Sequence, residues 1–217
     1  MKPYESLITR VFDSEFDILK SKGGLTYFPW VGSDYQKTRF AVVGKWHYFT
    51  DSNVKDSDEE YTRRIVKSEG IGNNQKIYKT VLELLFSPAN LTLGDRRRFW
   101  AQCAFFNMGK TQEAPDRPRM LNTADFNAFY EIASVILPTH CLFVDVSLSG
   151  YNTGVELQKC GITATFSKTF YENNMKIEIA TLSKGSWSAI AAFTEYQGSE
   201  RNPLQTDYLR NYMPKFF

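Results

Sequence analysis

The chain of 217 residues is long enough to bury one sizeable hydrophobic core. Hydrophobic residues make up 42% and charged residues 23%, which excludes an intrinsically disordered chain. The formal net charge of +2 excludes a protein-wide basic field, although a local stripe of Lys and Arg would be enough to hold phosphates. The three cysteines, Cys103, Cys141 and Cys160, form no C-x-x-C pair. They favour a reducing cytoplasm and disfavour a disulfide framework or a zinc site.

The first ten residues carry charges and lack the apolar stretch of a signal peptide. No apolar run approaches the ~20 residues that a membrane span needs. The chain also lacks internal repeats and low-complexity linkers. We therefore expect a cytoplasmic protein that does not contact membranes, that folds as a single domain over residues 1–217, and that acts as a monomer.

The first half of the chain contains a helix and a strand pattern. Apolar residues recur with helical spacing over residues 6–20, and Gly23 and Gly24 should end that helix. Residues 40–43 form a continuous apolar run before Gly44, which is typical of a buried parallel strand. The next segments are a polar surface loop (51–60) and a helix (77–86).

The second half alternates between the two kinds of element. Residues 99–106 are either a buried strand or a helix that leads into one, and the segment ends at Asn107. The polar stretch 110–122 contains two prolines and indicates a loop. An amphipathic helix follows over 123–137, with Thr123 as its N-cap. The remaining patterns predict strands at 141–146, 162–166 and 177–181, and helices at 155–160 and 187–193.

Short apolar strands that alternate with helices predict the fold class. We expect an α/β domain with a central, mostly parallel sheet of four to five strands and helices on both faces. In such sheets ligands bind at the carboxyl ends of the strands. Four segments should converge there: 44–51, 107–119, 145–152 and 181–187.

In their order along the chain, these segments resemble the motifs of the uracil-DNA glycosylase superfamily. Residues 44–49 (GKWHYF) stand where the family has a strand-ending Gly and a catalytic loop such as G-Q-D-P-Y-H or G-E-A-P-G. Residues 105–110 (FFNMGK), 115–119 (PDRPR) and 123–126 (TADF) are similar to a series in the cluster-bearing branch. That series is I-T-N-V-V-K, a loop with Pro and Arg, and T-P-E-E.

Several positions depart from the family's pattern. Trp46 stands where the family usually has Asp or Asn, and His47 replaces a proline. Residues 183–186 (SKGS) stand in the region of the late H-P-S motif, and the four cysteine ligands of the cluster-bearing branch are missing. The chain therefore resembles a divergent member, and its substrate is not fixed as uracil.

The resemblance implies that Asn107 reads the extruded base. An amide offers a donor and an acceptor to the Watson–Crick edge of a pyrimidine, whereas the alternative is an Asn that tolerates a turn. Tyr48 and Phe49 are candidates for stacking on the base, and Lys45 is a third candidate for contacting it. Lys45 is alternatively an ordinary phosphate-binding or exposed lysine, or an amine nucleophile that forms a Schiff base with the sugar.

His47 and Asp51 are the candidate catalytic residues. An imidazole in this loop can orient water or stabilise a leaving base, and Asp51 is the nearest carboxylate that could activate water. A structural histidine, a solvated Asp and a water held by the backbone stay open as alternatives. Asp145, inside an apolar run, either bonds to backbone in the core or lines the pocket.

Phosphate contacts would come from basic and hydroxyl side chains of the converging loops. Trp187 is either a wedge between bases or a core residue. The predicted DNA contacts are Lys110, Arg117, Arg119, Lys184 and Ser186.

The sequence therefore predicts a DNA glycosylase that flips out a uracil or a modified pyrimidine, such as a hypermodified cytosine in phage DNA. Hydrolysis of the N-glycosidic bond would leave an abasic site, and such an enzyme could serve phage defence. The alternatives are a nucleic-acid-binding module of the same fold that has lost catalysis, and an unrelated nucleotide or nucleoside hydrolase. DNA is the expected partner, and no metal or organic cofactor is expected because the sequence has no ligand cluster.

Overall fold

A computed structural model gives the fold of most of the chain. It describes residues 4–48, 58–72, 81–82, 84–86, 91–110, 112–113, 120–150, 152–172, 175–196 and 207–216. Within these residues the strands are β1 (Trp30–Val31), β2 (Phe40–Gly44), β3 (His47–Tyr48), β4 (Cys103–Asn107), β5 (Gln112–Glu113), β6 (His140–Val144), β7 (Thr163–Glu172), β8 (Met175–Lys184) and β9 (Trp187–Tyr196).

The helices connect these strands. Short 3-10 segments occur at Glu5–Leu7 and Tyr35–Lys37, and a π-helical segment at Val66–Gly72. None of the helices in the described ranges combines the length and apolar character needed to cross a bilayer. The α-helices described are α1 (Asp13–Ser21), α2 (Tyr61–Ile65), α3 (Leu93–Gln102), α4 (Thr123–Ile136), α5 (Thr153–Lys159) and α6 (Asp207–Arg210).

Seven of the described strands form one mixed sheet in the order β1-β4-β2-β6-β9-β8-β7. The four central strands, β4, β2, β6 and β9, are parallel to one another. β1 joins one side as an antiparallel strand, and β8 and β7 extend the other side as an antiparallel hairpin. β3 and β5 pair in parallel as a separate small sheet. The α/β class is thus confirmed, but the sheet is larger and more mixed than the predicted four or five strands.

The two strands that exceed the prediction are β1, which has only two residues, and β9, where a helix was expected, while β7 and β8 extend beyond the strands predicted at 162–166 and 177–181. An edge strand is covered less than a central one, so it needs no continuous apolar run to be stable. Phe166 and Tyr171 of β7 are 55% and 74% exposed. The strand predicted at 162–166 therefore covers only residues 163–166 of β7.

Helices cover both faces of the sheet, as predicted. Because alternate residues of a strand point to opposite faces, Ala104 and Phe106 of β4 pack in one core with α1, α4 and α5. Cys103 and Phe105 pack in the second core, with α3. The central strands are buried on both sides and read as continuous apolar runs, which is why the run at 40–43 identified β2 correctly.

One predicted helix begins later in the structure, and another begins where predicted but has a different N-cap. The helix predicted over 6–20 begins only at Asp13, because Ile8 forms an antiparallel bridge with Gly32. The N-cap of α4 is Asn122 rather than Thr123, since the Asn122 side chain accepts a hydrogen bond from the backbone N–H two residues later. Of the predicted helix 77–86, residues 81–82 and 84–85 are helical, while 77–80 and 83 lie outside the described residues, as do 51–57 of the predicted loop.

Residues 187–193 belong to β9, so the helix predicted there is wrong. A two-residue turn, Gly185-Ser186, joins β8 to β9 between the paired Lys184 and Trp187. Gly185 has φ +60°, as the first position of a type II′ hairpin turn requires. The alanines of this segment favour a helix locally, but β9 pairs with β6 on one side and β8 on the other. These two ladders outweigh the local preference.

Candidate active site

Two of the predicted segments run side by side beyond the ends of β2 and β4. Gly44 and Asn107, the last residues of these parallel strands, are directly paired. The backbone N–H of Met108 donates to the carbonyl of Gly44 at 3.0 Å, and a second bond continues the pairing one residue further on. Beyond these bonds, β3 pairs with β5. The expected meeting of these two loops is confirmed.

Lys45 and Asp145 face each other where β2 and β6 end. The distance from Lys45 Nζ to Asp145 Oδ2 is 3.6 Å, and the two side chains are 25% and 32% exposed. Asp145 has φ +59°, which is uncommon outside glycine and ends β6 before the predicted limit at 146. The carboxylate that the sequence placed inside a strand is therefore a partly exposed group at the strand's end.

This pair lies at the point where the sheet changes its order. The chain passes from β2 to β4 on one side and then returns to β6 on the other side of β2. In α/β proteins the crevice at such a switch point, outside the carboxyl ends of the strands, is where ligands bind. The structure thus brings a cation and a carboxylate together at the expected ligand position.

Two glycines allow close packing at this edge. A Cβ atom at Gly44 would overlap Oδ1 of Asn107, and one at Gly109 would overlap the indole of Trp46. Trp46 is only 4% exposed. Trp46 is therefore a packing residue.

A small cavity lies beside Asn107. Tyr27, Thr62 and Lys110 also line it, and its volume is about 10 Å³, which is room for about one water molecule. Lys110 Nζ donates to the carbonyl of Gly23 at 2.7 Å, just beyond the carboxyl end of α1. The side chain predicted to contact phosphate is therefore bonded to backbone in this structure.

A buried carboxylate holds the loop that follows β6. Glu178 of β8 is 2% exposed and accepts hydrogen bonds from Ser147 Oγ at 2.9 Å, from Leu148 N at 2.7 Å and from Ser149 N at 3.2 Å. Lys176 Nζ lies 3.1 Å from its second oxygen. Burial by itself would raise the pKa of Glu178, but the hydrogen bonds from Ser149, Lys176 and Ser147 outweigh burial and lower the pKa below its ordinary value.

The sequence analysis did not identify Glu178 and Lys176. They alternate with Ile177 and Ile179, which is the usual pattern of a strand with one solvent-exposed polar face. In the structure that face is partly covered by the loop after β6. The only signal in the sequence was a pair of opposite charges on one side of a predicted strand.

The fourth predicted segment, 181–187, does not lie at the carboxyl ends of the parallel strands with the other three. Because β8 is antiparallel to β9, residues 181–187 reach the amino ends of the parallel strands. Lys184 Nζ donates to the carbonyl of Cys160 at 2.7 Å and lies 3.8 Å from the ring centre of Tyr130. Lys184 and Ser186 therefore do not belong to the site at Asn107, and their assignment as DNA contacts there is corrected.

Trp187 is a core residue rather than a wedge. It is 6% exposed, and its Nε1 donates to the carbonyl of Pro138 at 3.0 Å. It lies at the amino ends of the parallel strands, far from their carboxyl ends.

The other predicted site residues stay predictions. The backbones of His47 and Tyr48 form β3 at the same edge as Lys45. The four that lie outside the described residues are Phe49, Asp51, Arg117 and Arg119.

Within the described ranges, no group of three or more His, Cys, Asp or Glu side chains is placed to hold a metal ion. Comparisons with protein-family models, with curated proteins and with solved structures give no match. The function is therefore inferred from the geometry of the site.

Proposed function

We propose that the chain is a DNA N-glycosylase whose active site lies at the carboxyl ends of β2, β4 and β6. One observation carries the proposal: Lys45 and Asp145 meet at the switch point of the sheet, 3.6 Å apart. They lie beside the paired Gly44 and Asn107. A cation, a carboxylate and an amide are thus grouped in the crevice where proteins of this class bind ligands.

Each of these groups matches a requirement of the reaction. Water attacks the sugar carbon, the bond from that carbon to the base nitrogen breaks, and the base leaves with the electron pair. Asn107 would pair with the extruded pyrimidine, since its amide both donates and accepts. Lys45 would stabilise the negative charge that develops on the base, and Asp145 the positive charge on the sugar or the attacking water.

His47 completes the proposed site. Two residues after Lys45, it is close enough along the chain to orient water or to protonate the departing base. Asp51 is the alternative carboxylate for activating water. We favour Asp145 over Asp51 because Asp145 is held at the end of a central strand, which is a rigid position for a catalytic group.

The proposed substrate is DNA that carries uracil or a modified pyrimidine, including hypermodified cytosine of phage DNA, which would make the protein a defence enzyme. Asn107 supports a pyrimidine because its amide suits a Watson–Crick edge. The cavity beside it, at about 10 Å³, has to widen before a base can enter. We expect Tyr27, Thr62 or Lys110 to move when the base binds.

The second candidate is a nucleic-acid-binding module of the same fold that does not cleave the bond. The small cavity and the buried Trp46 favour it, because a site that has lost catalysis no longer needs an open pocket or a polar group at that position. This module would bind DNA and release no base.

Base release from labelled oligonucleotides separates the two candidates. Single- and double-stranded oligonucleotides would carry uracil, hydroxymethylcytosine or glucosylated hydroxymethylcytosine, and alkali would cut at abasic sites. We expect strand breaks for at least one base, lost in Asn107→Ala and His47→Ala. The matched controls are Asn127→Ala, an exposed position on α4, and His140→Gln at the amino end of β6. Binding without breaks for any base would contradict the enzyme and favour the binding module.

A further inference from the structure

A groove of about 720 Å³ lies between α5 and the β7–β8 hairpin. One face of the hairpin forms its floor. Gly154 and Gln158 of α5 and the residues Leu148 and Ser149 form its wall. Its volume is within the range of small-molecule and cofactor sites. Neither the fold nor the proposed active site accounts for it.

Two exposed aromatic rings line the floor of this groove. Phe166 and Tyr171 are five residues apart, and in a regular strand they would point to opposite faces. The pairing with β8 is irregular between Phe166 and Lys168, so Ser167 is an extra residue and the alternation is reversed. The bulge therefore places both rings on the same side, at 55% and 74% exposure.

The charges in the groove cancel each other. Among the described residues that line it, the charged ones are Lys176 and Glu178, which form an ion pair of 3.1 Å. The groove therefore offers no net charge to a phosphate group. Its other polar residues are uncharged, among them Ser149, Gln158 and Thr169. Exposed rings among uncharged hydroxyl and amide groups suit flat, neutral, hydrogen-bonding rings such as nucleobases.

One loop contributes residues to both the groove and the proposed active site, although the two lie far apart. The loop after β6 carries Asp145 at the site and Leu148 and Ser149 at the groove. Asn107 on β4 is five strand positions from β7, which carries both rings, and this is about 24 Å at the ~4.8 Å spacing of strands. A substituent of the extruded base is too short to reach so far. At ~3.4 Å per stacked nucleotide, bases about seven positions along the same DNA strand do reach the rings.

We propose that this groove binds unpaired bases of the DNA strand that flanks the extruded nucleotide, by stacking on Phe166 and Tyr171. The inference rests on the proposed function, because the DNA strand is what links the two sites. It also assigns single-stranded DNA as the preferred substrate, since the faces of the bases are hidden within a duplex.

The test compares affinities for single-stranded and duplex DNA of one sequence by fluorescence anisotropy. We expect Phe166→Ala and Tyr171→Ala each to weaken single-strand binding about tenfold, the usual effect of losing one stacked base, and to leave duplex binding unchanged. Phe166→Trp and Tyr171→Phe keep a ring and should bind as the wild type does. Thr165→Ala, exposed on the opposite face of β7, is the matched control. The loss should be the same at low and high salt, because stacking releases no counterions.

Wild-type affinity of both alanine variants for single strands would overturn the proposal, as would an equal loss on single strands and duplex. Base release by the same proteins separates this failure from that of the proposed function. If no base is released but the ring variants still lose single-strand affinity, the groove stands and the glycosylase fails. If base release occurs and the ring variants bind normally, the glycosylase stands and the groove fails.

Discussion

The two ends of the parallel strands use their polar side chains differently. At the carboxyl ends, Lys45 and Asp145 are partly exposed and face each other across 3.6 Å. At the amino ends, Lys184 and Trp187 donate to backbone carbonyls and close the core. The carboxyl ends therefore keep charged side chains partly accessible, while the amino ends use their donors to fix the chain.

The largest effect on stability should come from a substitution at the amino ends of the parallel strands. Trp187→Ala removes a buried ring that packs against Phe129 and Tyr130, with ring centres 6.0 Å apart in both cases, and it also removes the bond to Pro138. We expect the free energy of unfolding, measured by urea titration, to fall by about 3–5 kcal/mol. The rate of base release per folded molecule should not change. A loss below about 1 kcal/mol would show that Trp187, at the amino ends of the strands, contributes little to the stability of the fold.

A smaller effect should come from the loop beside the proposed active site. Glu178→Gln replaces a buried carboxylate that accepts charge-assisted hydrogen bonds, and we expect a loss of about 2 kcal/mol at neutral pH. The pKa of Glu178 is lower in the folded protein than its ordinary value of 4.5. Its contribution to stability is therefore complete above pH 4.5 and is lost as the pH falls through the lower, folded value.

Urea titrations at several pH values test this account of Glu178. The difference in the free energy of unfolding between the wild type and Glu178→Gln should shrink as the pH falls below 4.5. Asp17→Asn, at an exposed position on α1, is the control and should unfold with the same free energy as the wild type. A constant difference at every pH would mean that the ionised form of Glu178 does not hold the loop.

The smallest effect should come from Lys184→Met. It removes the bond to Cys160 and the contact with the ring of Tyr130, and we expect a loss of about 1 kcal/mol in the free energy of unfolding. DNA affinity and its salt dependence should not change. If the slope of log affinity against log salt concentration instead fell by about one, Lys184 would contact a phosphate. The amino ends of the strands would then not differ from the carboxyl ends in the use of their charged side chains.

The central strands β2, β4 and β6 could be predicted from the sequence because burial on both faces makes them continuous apolar runs, as at 40–43 for β2. The strand β9 and the antiparallel direction of β8 were not predicted. Both follow from the turn at Gly185, whose Gly-Ser pair is a hairpin signal, whereas a helix was predicted at 187–193. For this reason the prediction placed Lys184 and Ser186 at the carboxyl ends of the parallel strands, whereas they lie at the amino ends.

The candidate site was predicted only in part. Lys45 and Asn107 follow apolar runs and Asp145 begins the predicted segment 145–152, so the sequence could place all three near the carboxyl ends of the strands, although Asp145 lies inside an apolar run. It could not show that Lys45 meets Asp145, because that contact depends on β2 lying between β4 and β6. Glu178 was missed because its donors come from a loop 30 and 31 residues earlier in the chain.

The most direct test of the account is the rate of base release by Asp145→Asn under single-turnover conditions. The matched control is Asp34→Asn, which removes a similar carboxylate, paired with Lys37 at 3.1 Å, at the amino end of β2. The account predicts that Asp145→Asn slows base release at least about 100-fold while Asp34→Asn keeps the wild-type rate, with both variants folded. Equal rates for Asp145→Asn and the wild type would contradict an active site at the carboxyl ends of the strands.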